Sequence, residues 1–319
     1  MTFCHFYIFL KLFFKFENKK YKMIIIDYIK KKSKFVFSLS SFIIIIDSIL
    51  IEKKHSHKYK VVAISYANYK YFKQLKVNKF SAINVGKVDK YYSYKPEDID
   101  INFKKKNKDI LSRRRGNGYW IWKPYFILMT LKNKLDKGDY LIYTDSGILY
   151  LDKVEKVIKF MISKNEDIWA IRTNYIERKF SKRDAFILLD ADSLIYADTY
   201  QYMAGIQIYK KTKFSINFVE KLLKYSTDKR IITDDPNTQG LPNYKGFIDN
   251  RHDQTILSLL TKKLRFSHLN KNKAKAYDLN KIDVNLMPYI FCIYRRLKFK
   301  SYFELRRKCK EIKKYKYVF

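Results

Sequence analysis

The sequence predicts an α/β fold in which a mixed, mainly parallel β-sheet is covered by helices on both faces. Short apolar segments rich in β-branched residues alternate along the chain with longer segments of helical periodicity. Strands that alternate with helices favour parallel pairing, because the crossover helices then cover both faces of the sheet. With 319 residues, of which 47% are hydrophobic and 17% aromatic, the chain can bury a large core.

The predicted elements begin at Lys60 and follow one another with short connections. They are a strand over 61–65, a helix over 69–79, a strand over 82–85, a charged helix or loop over 104–115, a helix from Pro124 to 131, a strand over 140–145, a helix over 154–163 and a strand over 167–171. Pro124 is expected at N1 of its helix, where a proline costs no hydrogen bond. Residues 264–267 also have a strand-like pattern, and residues 255–260 a helical one.

The first 57 residues differ in composition from the rest, so we predict an N-terminal extension over 1–57 and a single domain over 58–319. Residues 35–51 form an apolar run preceded by lysines, as in a signal anchor, but the run is short for a span and contains Asp47. An aspartate inside a span costs about 2.5–3.5 kcal/mol. We therefore expect a peripheral, membrane-associated segment, with a span and an unstructured extension as alternatives.

Charge and cysteine content narrow the classes of function. The chain has 67 Lys and Arg against 31 Asp and Glu, a net charge of +36 that would suit nucleic acid or another anionic partner. The basic residues are spread along the chain, however, and accompany the Ile, Tyr, Phe and Asn bias of an AT-rich coding sequence, so nucleic acid is not the expected partner. Three scattered cysteines without CxxC spacing indicate a reducing, cytoplasmic location.

Residues 113–124 concentrate rare residue types in one block. The block reads Arg-Arg-Arg-Gly-Asn-Gly-Tyr-Trp-Ile-Trp-Lys-Pro and contains two of the three tryptophans and two of the eight glycines. Glycine admits close backbone approach, aromatic rings offer stacking faces, and arginine and lysine supply positive charge. These properties suit a ligand with rings and phosphates. A tight turn beside the core is the alternative.

Asp145 ends an apolar predicted strand and precedes a Ser-Gly turn. Ligands of open α/β sheets bind beyond the carboxyl ends of strands, and a carboxylate there can hold a divalent cation against a diphosphate. Capping of the turn is the alternative role for Asp145.

Four segments, in this order, resemble nucleotide-sugar glycosyltransferases of the GT-A type. They are Gly-Tyr-Trp-Ile-Trp-Lys-Pro (118–124), Gly-Asp-Tyr-Leu-Ile-Tyr-Thr-Asp-Ser-Gly (138–147), Ala-Gly-Ile-Gln-Ile (204–208) and Arg-His-Asp-Gln-Thr-Ile-Leu-Ser-Leu (251–259). The similarity is greatest to bacterial and viral capsule or glycan transferases and more distant to the retaining galactosyltransferase and glycogenin-like group. It extends from about residue 58 to about residue 270.

The resemblance implies a GT-A-like, Rossmann-type fold and an enzyme of polysaccharide biosynthesis. The enzyme would move a hexosyl or other glycosyl group from a nucleotide-diphosphate sugar to a glycan or other hydroxyl acceptor, and the Asp-Gln pair favours retention of configuration. It also implies Mn²⁺ or Mg²⁺ held by Asp145 and His268. Gly147 stands where the family has its second aspartate, so positive side chains could replace the metal.

The resemblance also assigns roles to the remaining candidate residues. Asp253 and Gln254 would be catalytic, with Asp253 orienting or deprotonating the acceptor or stabilising an oxocarbenium-like transition state. The residues expected to bind substrate are Arg113, Gly116, Gly118, Tyr119, Trp120, Lys123, Gly205 and His252. Asp190 and Asp192 form the chain's literal Asp-x-Asp and are the alternative metal pair. The competing functions are an inert glycan-binding protein of the same fold and a basic nucleic-acid-binding protein.

Overall fold

The computed structural model describes residues 59–267, 290–293, 304–306 and Lys308. The predictions for residues 1–57, including the apolar run 35–51, and for His268 lie outside this part of the chain. The division at residue 57 therefore stays a prediction. No helix within the described ranges is long and apolar enough to cross a membrane.

The described part of the chain contains seven strands, eleven α-helices that are numbered below, an irregular helical turn at Gly116–Tyr119, and short helical turns at Tyr69–Tyr71, Ala82–Gly86 and Pro96–Asp98. The strands are β1 (Val61–Tyr66), β2 (Lys90–Tyr94), β3 (Tyr140–Thr144), β4 (Ile148–Tyr150), β5 (Ile168–Ile176), β6 (Tyr200–Lys210) and β7 (Phe291–Ile293). The helices are α1 (Phe72–Ser81), α2 (Ile101–Lys106), α3 (Lys108–Leu111), α4 (Trp122–Asn133), α5 (Glu155–Ser163), α6 (Glu177–Phe180), α7 (Arg183–Leu188), α8 (Leu194–Ala197), α9 (Lys213–Ser226), α10 (Lys229–Ile232) and α11 (Asp253–Ser267).

Five strands form the central sheet in the order β2-β1-β3-β6-β5. β1 pairs in parallel with β2 and β3, whereas β6 is antiparallel to both β3 and β5. Four strands thus run in one direction and β6 runs in the other. The predicted mixed, mainly parallel sheet is confirmed. β4 and β7 form a separate antiparallel pair.

Both faces of the sheet are buried, as the alternation along β3 shows. Leu141 packs in one core with Phe126 of α4 and with residues of α9 and α11. Ile142 points to the opposite face, where it packs in a second core with Val157 of α5. Each of these side chains is almost fully buried. The near-continuous apolar sequence of β3 follows from this two-sided burial.

α4 and α9 owe their positions to regularly spaced apolar residues. In α4, Phe126, Ile127 and Leu131 form one buried stripe. α9 begins where Thr212 accepts a hydrogen bond from the backbone N–H of Ser215 at 3.2 Å, as an N-cap residue does.

Pro124 is not at N1 as predicted, because α4 starts at Trp122. The missing N–H of Pro124 still costs little, because the N–H groups of the first helical turn have no acceptors within the helix.

Two predicted strands are wrong. Ala82–Gly86 is a wide helical turn continuing α1, and the second strand of the sheet is β2 at 90–94. At Gly86 a Cβ would lie 2.7 Å from the ring of Tyr150, so this turn packs against β4. Residues 264–267 form the last turn of α11 rather than a strand. Short apolar runs fit either periodicity, and tertiary packing decided both cases.

The central position of β3 predicts a large loss of stability for Ile142→Ala. The fully buried side chain leaves a cavity between sheet and helices, and we expect the free energy of unfolding to fall by about 2–5 kcal/mol. Urea unfolding followed by circular dichroism measures the change. Ile162→Ala on α5 is the matched control, because Ile162 is 51% exposed and its loss should change stability by about 0.5 kcal/mol or less. Equal effects of the two substitutions would contradict the assigned core.

Candidate functional site

A buried lysine lies between two carboxylates beyond the carboxyl end of β3. Lys123 of α4 is 3% exposed, and its Nζ is 3.3 Å from Oδ1 of Asp145. The same ammonium donates a hydrogen bond to Oδ2 of Asp253, the first residue of α11, and another to the carbonyl oxygen of Ala204 at 3.2 Å. Three predicted site residues that are distant in sequence are therefore in direct contact. Pairing with a cation offsets the cost of burying both carboxylates.

Asp145 is held in place by its neighbours on two strands. The hydroxyl of Tyr143 donates to Oδ1 of Asp145 at 2.7 Å, and the backbone N–H of Asp145 donates to the carbonyl of Gly205 at 2.8 Å. A Cβ at Gly205 would lie 3.3 Å from Oδ2 of Asp145, so glycine leaves room for the carboxylate. The side-chain amide of Asn78 donates to Thr144 Oγ1 at 2.9 Å and to the carbonyl of Ile148 at 2.7 Å. The turn that carries Asp145 is thus tied to α1.

Asp253 and Gln254 begin α11 next to the same strand segment. Burial raises the pKa of the Asp253 carboxyl, and the adjacent Lys123 ammonium opposes that rise. Gln254 accepts a hydrogen bond on Oε1 from the backbone N–H of Ala204 at 3.4 Å. Its Nε2 donates to Oε1 of Gln201 at 2.7 Å. The predicted catalytic pair and the predicted Ala-Gly segment therefore meet at one place.

The glycines of the 113–124 block are required by its own packing. Gly116 and Gly118 have φ values of +59° and +91°, in the region that favours glycine. A Cβ would lie 2.4 Å from the Trp120 ring in the first case and 2.8 Å from Cα of Leu111 in the second. In this structure the glycines accommodate protein atoms, as expected for a tight turn beside the core. Their contact with a ligand stays a prediction.

The rings of the block pack on His252. The centroids of Tyr119 and Trp120 are 4.8 Å and 5.4 Å from that of His252. Nδ1 of His252 is 2.8 Å from the carbonyl of Ile232, so the proton of the neutral ring lies on Nδ1. Burial lowers the pKa of His252 to about 4, and the residue is only 2% exposed. His252 thus joins the block to the start of α11 as a neutral ring, and its predicted contact with substrate stays a prediction.

The arginines of the block face three aspartates that the sequence reading did not select as partners. Arg113 is 3.4 Å from Asp235, and Arg115 is 3.0 Å from Asp234 and 3.4 Å from Asp249. All these side chains are partly exposed. Exposed ion pairs are worth about 0–1 kcal/mol, so a ligand anion could compete with these carboxylates. Nothing local in the sequence indicates these pairs.

The alternative metal pair has cationic partners of its own. Asp190 has a 99% exposed side chain and lies 3.1 Å from Nζ of Lys263. Asp192 is 2.9 Å from Arg183 and accepts a hydrogen bond from the Tyr244 hydroxyl at 2.7 Å. Neither residue contacts Lys123 or Asp253 in these interactions.

The described residues do not fit a two-carboxylate cation site. Within residues 59–267 and the shorter described stretches, no group of three or more His, Cys, Asp or Glu side chains could hold a metal ion. The position between Asp145 and Asp253 already holds the Lys123 ammonium. The predicted Mn²⁺ or Mg²⁺ ligand His268 lies outside the described part of the chain, so the metal site stays a prediction.

Sequence reasoning missed Gln201 and Tyr66. Gln201 is fully buried in β6 and contacts Gln254, and a polar residue among the apolar and aromatic residues of this strand was its available signal. Tyr66 ends β1 and stacks on Trp122 with ring centroids 3.7 Å apart. Its hydroxyl accepts a hydrogen bond from Asn117. The block is thereby fastened to the carboxyl end of a second parallel strand.

No protein-family model and no curated protein matches the sequence. Three glycosyltransferases are among the proteins whose solved structures are similar to it. The galactosyltransferase LgtC, in complex with donor and acceptor sugar analogues, is 13% identical over 81% of this chain and 97% of its own, with a TM-score of 0.43. The bifunctional glycosyltransferase WbbM is 11% identical over 64% of this chain and 38% of its own, with a TM-score of 0.38.

The third is the glycosyltransferase GlyE of Streptococcus pneumoniae, which is 14% identical over 80% of this chain and 60% of its own, with a TM-score of 0.36. This chain thus spans less than two thirds of WbbM and of GlyE. With TM-scores below 0.5, the similarities do not carry a functional assignment, which depends on the site.

The lysine between the carboxylates predicts a large effect of Lys123→Met. Without its ammonium, Asp145 and Asp253 would be left buried and uncompensated, and we expect the free energy of unfolding at pH 7 to fall by about 3–5 kcal/mol. Lys132→Met on the same helix is the control, because Lys132 forms an exposed pair with Glu220 and should cost about 1 kcal/mol or less. Urea unfolding compares the two variants, and similar losses would argue against the buried cation.

The lowered pKa of His252 predicts acid sensitivity. Between about pH 6.5 and 4 the unfolded state binds the proton more readily, so the free energy of unfolding should fall on acidification by roughly 3 kcal/mol from this residue. His252→Asn should lack that slope. Asparagine tolerates the φ of 54° and can donate to Ile232 but does not titrate. Denaturation midpoints across this pH range measure the difference, and identical slopes would refute the assignment.

Proposed function

We propose that the protein is a GT-A-like glycosyltransferase that moves a sugar from a nucleotide-diphosphate sugar to a glycan or other hydroxyl acceptor. The observation that carries the proposal is the meeting of Lys123, Asp145, Asp253 and Gln254 beyond the carboxyl end of β3. These residues come from three of the four segments that resemble the family. The fourth segment provides Ala204 and Gly205, which contact all of them except Asp253.

The placement of the site supports a nucleotide-sugar donor. β1 and β3 are adjacent parallel strands, and open α/β sheets bind ligands beyond such carboxyl ends. The 113–124 block lies there too, fastened to Tyr66 at the end of β1. We propose that a ring of the donor packs against the exposed part of Trp120, and that Arg113 and Arg115 exchange their aspartate partners for the diphosphate.

The proposed reaction breaks the bond between the anomeric carbon and the diphosphate oxygen and forms a bond from that carbon to the acceptor oxygen. Negative charge develops on the leaving diphosphate, and positive charge near it stabilises the transition state. The acceptor loses its proton to a base, and Asp253 is proposed for this role because its carboxylate lies at the site beside Lys123 and burial raises its pKa, a rise that the ammonium opposes. Gln254 would orient the reacting sugar. Retention of configuration is proposed from the Asp-Gln resemblance.

Three further proposals come from the sequence. Mn²⁺ or Mg²⁺ at Asp145 is proposed from the resemblance, although the described donor set does not fit a two-carboxylate site, and no step above depends on it. A cytoplasmic location and a peripheral membrane contact through residues 35–51 are proposed from composition. A role in polysaccharide biosynthesis is proposed from the group of transferases that the sequence resembles.

The proposal predicts that Asp145→Asn abolishes sugar transfer. We expect turnover of radiolabelled nucleotide-sugars to fall at least about 100-fold, because the variant lacks the negative charge that pairs with the Lys123 ammonium. Asp136→Asn is the control, since Asp136 is an exposed partner of Lys60. Donor binding is measured in parallel as the rise of Tm with nucleoside diphosphates and their sugars, with and without Mn²⁺.

Two outcomes would contradict the proposal. Full activity in Asp145→Asn would remove Asp145 from the site. A Tm rise with nucleotide-sugars but no transfer or hydrolysis in the unsubstituted protein would favour an inert binding protein.

A further inference from the structure

A fully buried ion pair lies next to the proposed site but contains none of its residues. Glu177, which follows β5, and Lys262 of α11 are 0% and 1% exposed. Lys262 Nζ and the hydroxyl of Ser258, at 2.7 Å, both donate to Oε2 of Glu177. The hydroxyl of Ser181 donates to Oε1 at 2.8 Å. Buried ion pairs rarely stabilise a fold more than apolar residues of the same size, so stability alone does not account for this one.

Gln201 connects the ion pair to the site. It lies on β6, is fully buried, and has its Nε2 3.2 Å from Oε1 of Glu177 and 3.1 Å from the carbonyl of Phe180. Its Oε1 accepts the hydrogen bond from Nε2 of Gln254 at 2.7 Å. A continuous chain of hydrogen bonds therefore runs from Glu177 through Gln201 to Gln254.

The donor and acceptor order of these hydrogen bonds is set by the two acceptors beside Gln201, the Glu177 carboxylate and the Phe180 carbonyl. A carboxylate and a backbone carbonyl are acceptors only, so Gln201 has to turn its N–H groups toward Glu177 and Phe180. Its carbonyl oxygen then faces Gln254, which therefore has to donate a hydrogen bond from its N–H group. That choice leaves Oε1 of Gln254 facing the backbone N–H of Ala204, at 3.4 Å. Reversing the Gln254 carboxamide would place its oxygen against Oε1 of Gln201, acceptor against acceptor, and its N–H groups against the backbone N–H of Ala204, donor against donor.

We propose that Gln201 is a positioning residue, and that the Glu177–Lys262 ion pair acts through it to hold the Gln254 carboxamide in one orientation. The inference rests on the proposed function for Gln254 and names the part of the protein that orients it. A side chain that is already held in its reactive orientation does not have to be ordered during the reaction, and this favours turnover. The ion pair thus helps to fix which end of the Gln201 carboxamide faces Gln254, which an apolar pair could not do.

The first experiment replaces Gln201 with leucine and separates turnover from binding. We expect kcat for sugar transfer to fall about tenfold, as is usual when an outer partner of a site residue is lost. The Kd of the donor should change less than about twofold, because no phosphate or base contact is altered. Ser226→Ala on α9 is the control. It removes a buried hydroxyl that donates to the carbonyl of Leu222 within the same helix and should leave kcat unchanged.

A double-mutant cycle tests whether Gln201 acts through Gln254. If it does, Gln201→Leu should lower kcat in the unsubstituted protein but have no further effect in a Gln254→Ala background. Additive losses, or an unchanged kcat in the folded Gln201→Leu variant, would overturn the proposal.

A second variant serves if Gln201→Leu fails to fold. Glu177→Gln combined with Lys262→Met replaces the ion pair by neutral side chains of similar size, which should preserve folding. A neutral amide at position 177 can present either N–H or oxygen to Gln201, whereas the Phe180 carbonyl still accepts from it, so we expect kcat to fall by less than in Gln201→Leu. An unchanged kcat in this variant would count against the role of the ion pair.

A crystal structure of the variant separates this inference from the proposed function. In Gln201→Leu, Oε1 of Gln254 should leave the backbone N–H of Ala204. If Gln254 keeps its position there, the positioning role is refuted whether or not the protein transfers sugar. Absence of transfer from every nucleotide-sugar by the unsubstituted protein would instead refute the proposed function.

Discussion

The ammonium of Lys123 is the interaction on which the arrangement of the site depends. It contacts Asp145 after β3, Asp253 at the start of α11 and the carbonyl of Ala204 in β6. Two carboxylates at this depth would repel each other and lose hydration without a cation between them. One charge on α4 therefore connects the end of β3, the antiparallel strand β6 and the start of α11. Burial raises the pKa of the Asp253 carboxyl, and the Lys123 ammonium opposes that rise.

The 113–124 block is the second constraint, and it acts through the backbone. Asn117, Tyr119 and Trp120 all have positive φ values, as does His252, on which the two rings pack. Left-handed backbone at a non-glycine residue costs about 1–2 kcal/mol, and such strain persists where the surroundings impose it. Here the stacking of Tyr66 on Trp122 and the bond from His252 to Ile232 impose it. The block thus forms a packed surface beside the carboxyl ends of β1 and β3.

Sequence patterns predicted the elements that carry strong local signals. β1, β3 and α5 lie within a residue or two of the predicted bounds, because continuous apolar strands and a clear helical stripe leave little ambiguity. The strands expected at 82–85 and 264–267 are helical, since four apolar or mixed residues fit either period. Gln201 was not predicted as a site residue, although a glutamine within a strand rich in aromatic residues indicated a buried polar contact.

The sequence by itself determined the alternation of strands and helices, the place of Asp145 after a strand and the place of Asp253 at the start of a helix. These features depend on neighbours within a few residues, where composition and periodicity act directly. Only the tertiary structure decided that Lys123 pairs with Asp253, 130 positions away, and that the arginines meet Asp234, Asp235 and Asp249. The same holds for the orientation of Gln254. Such contacts depend on chain crossings that bring distant segments together, and local sequence carries no record of them.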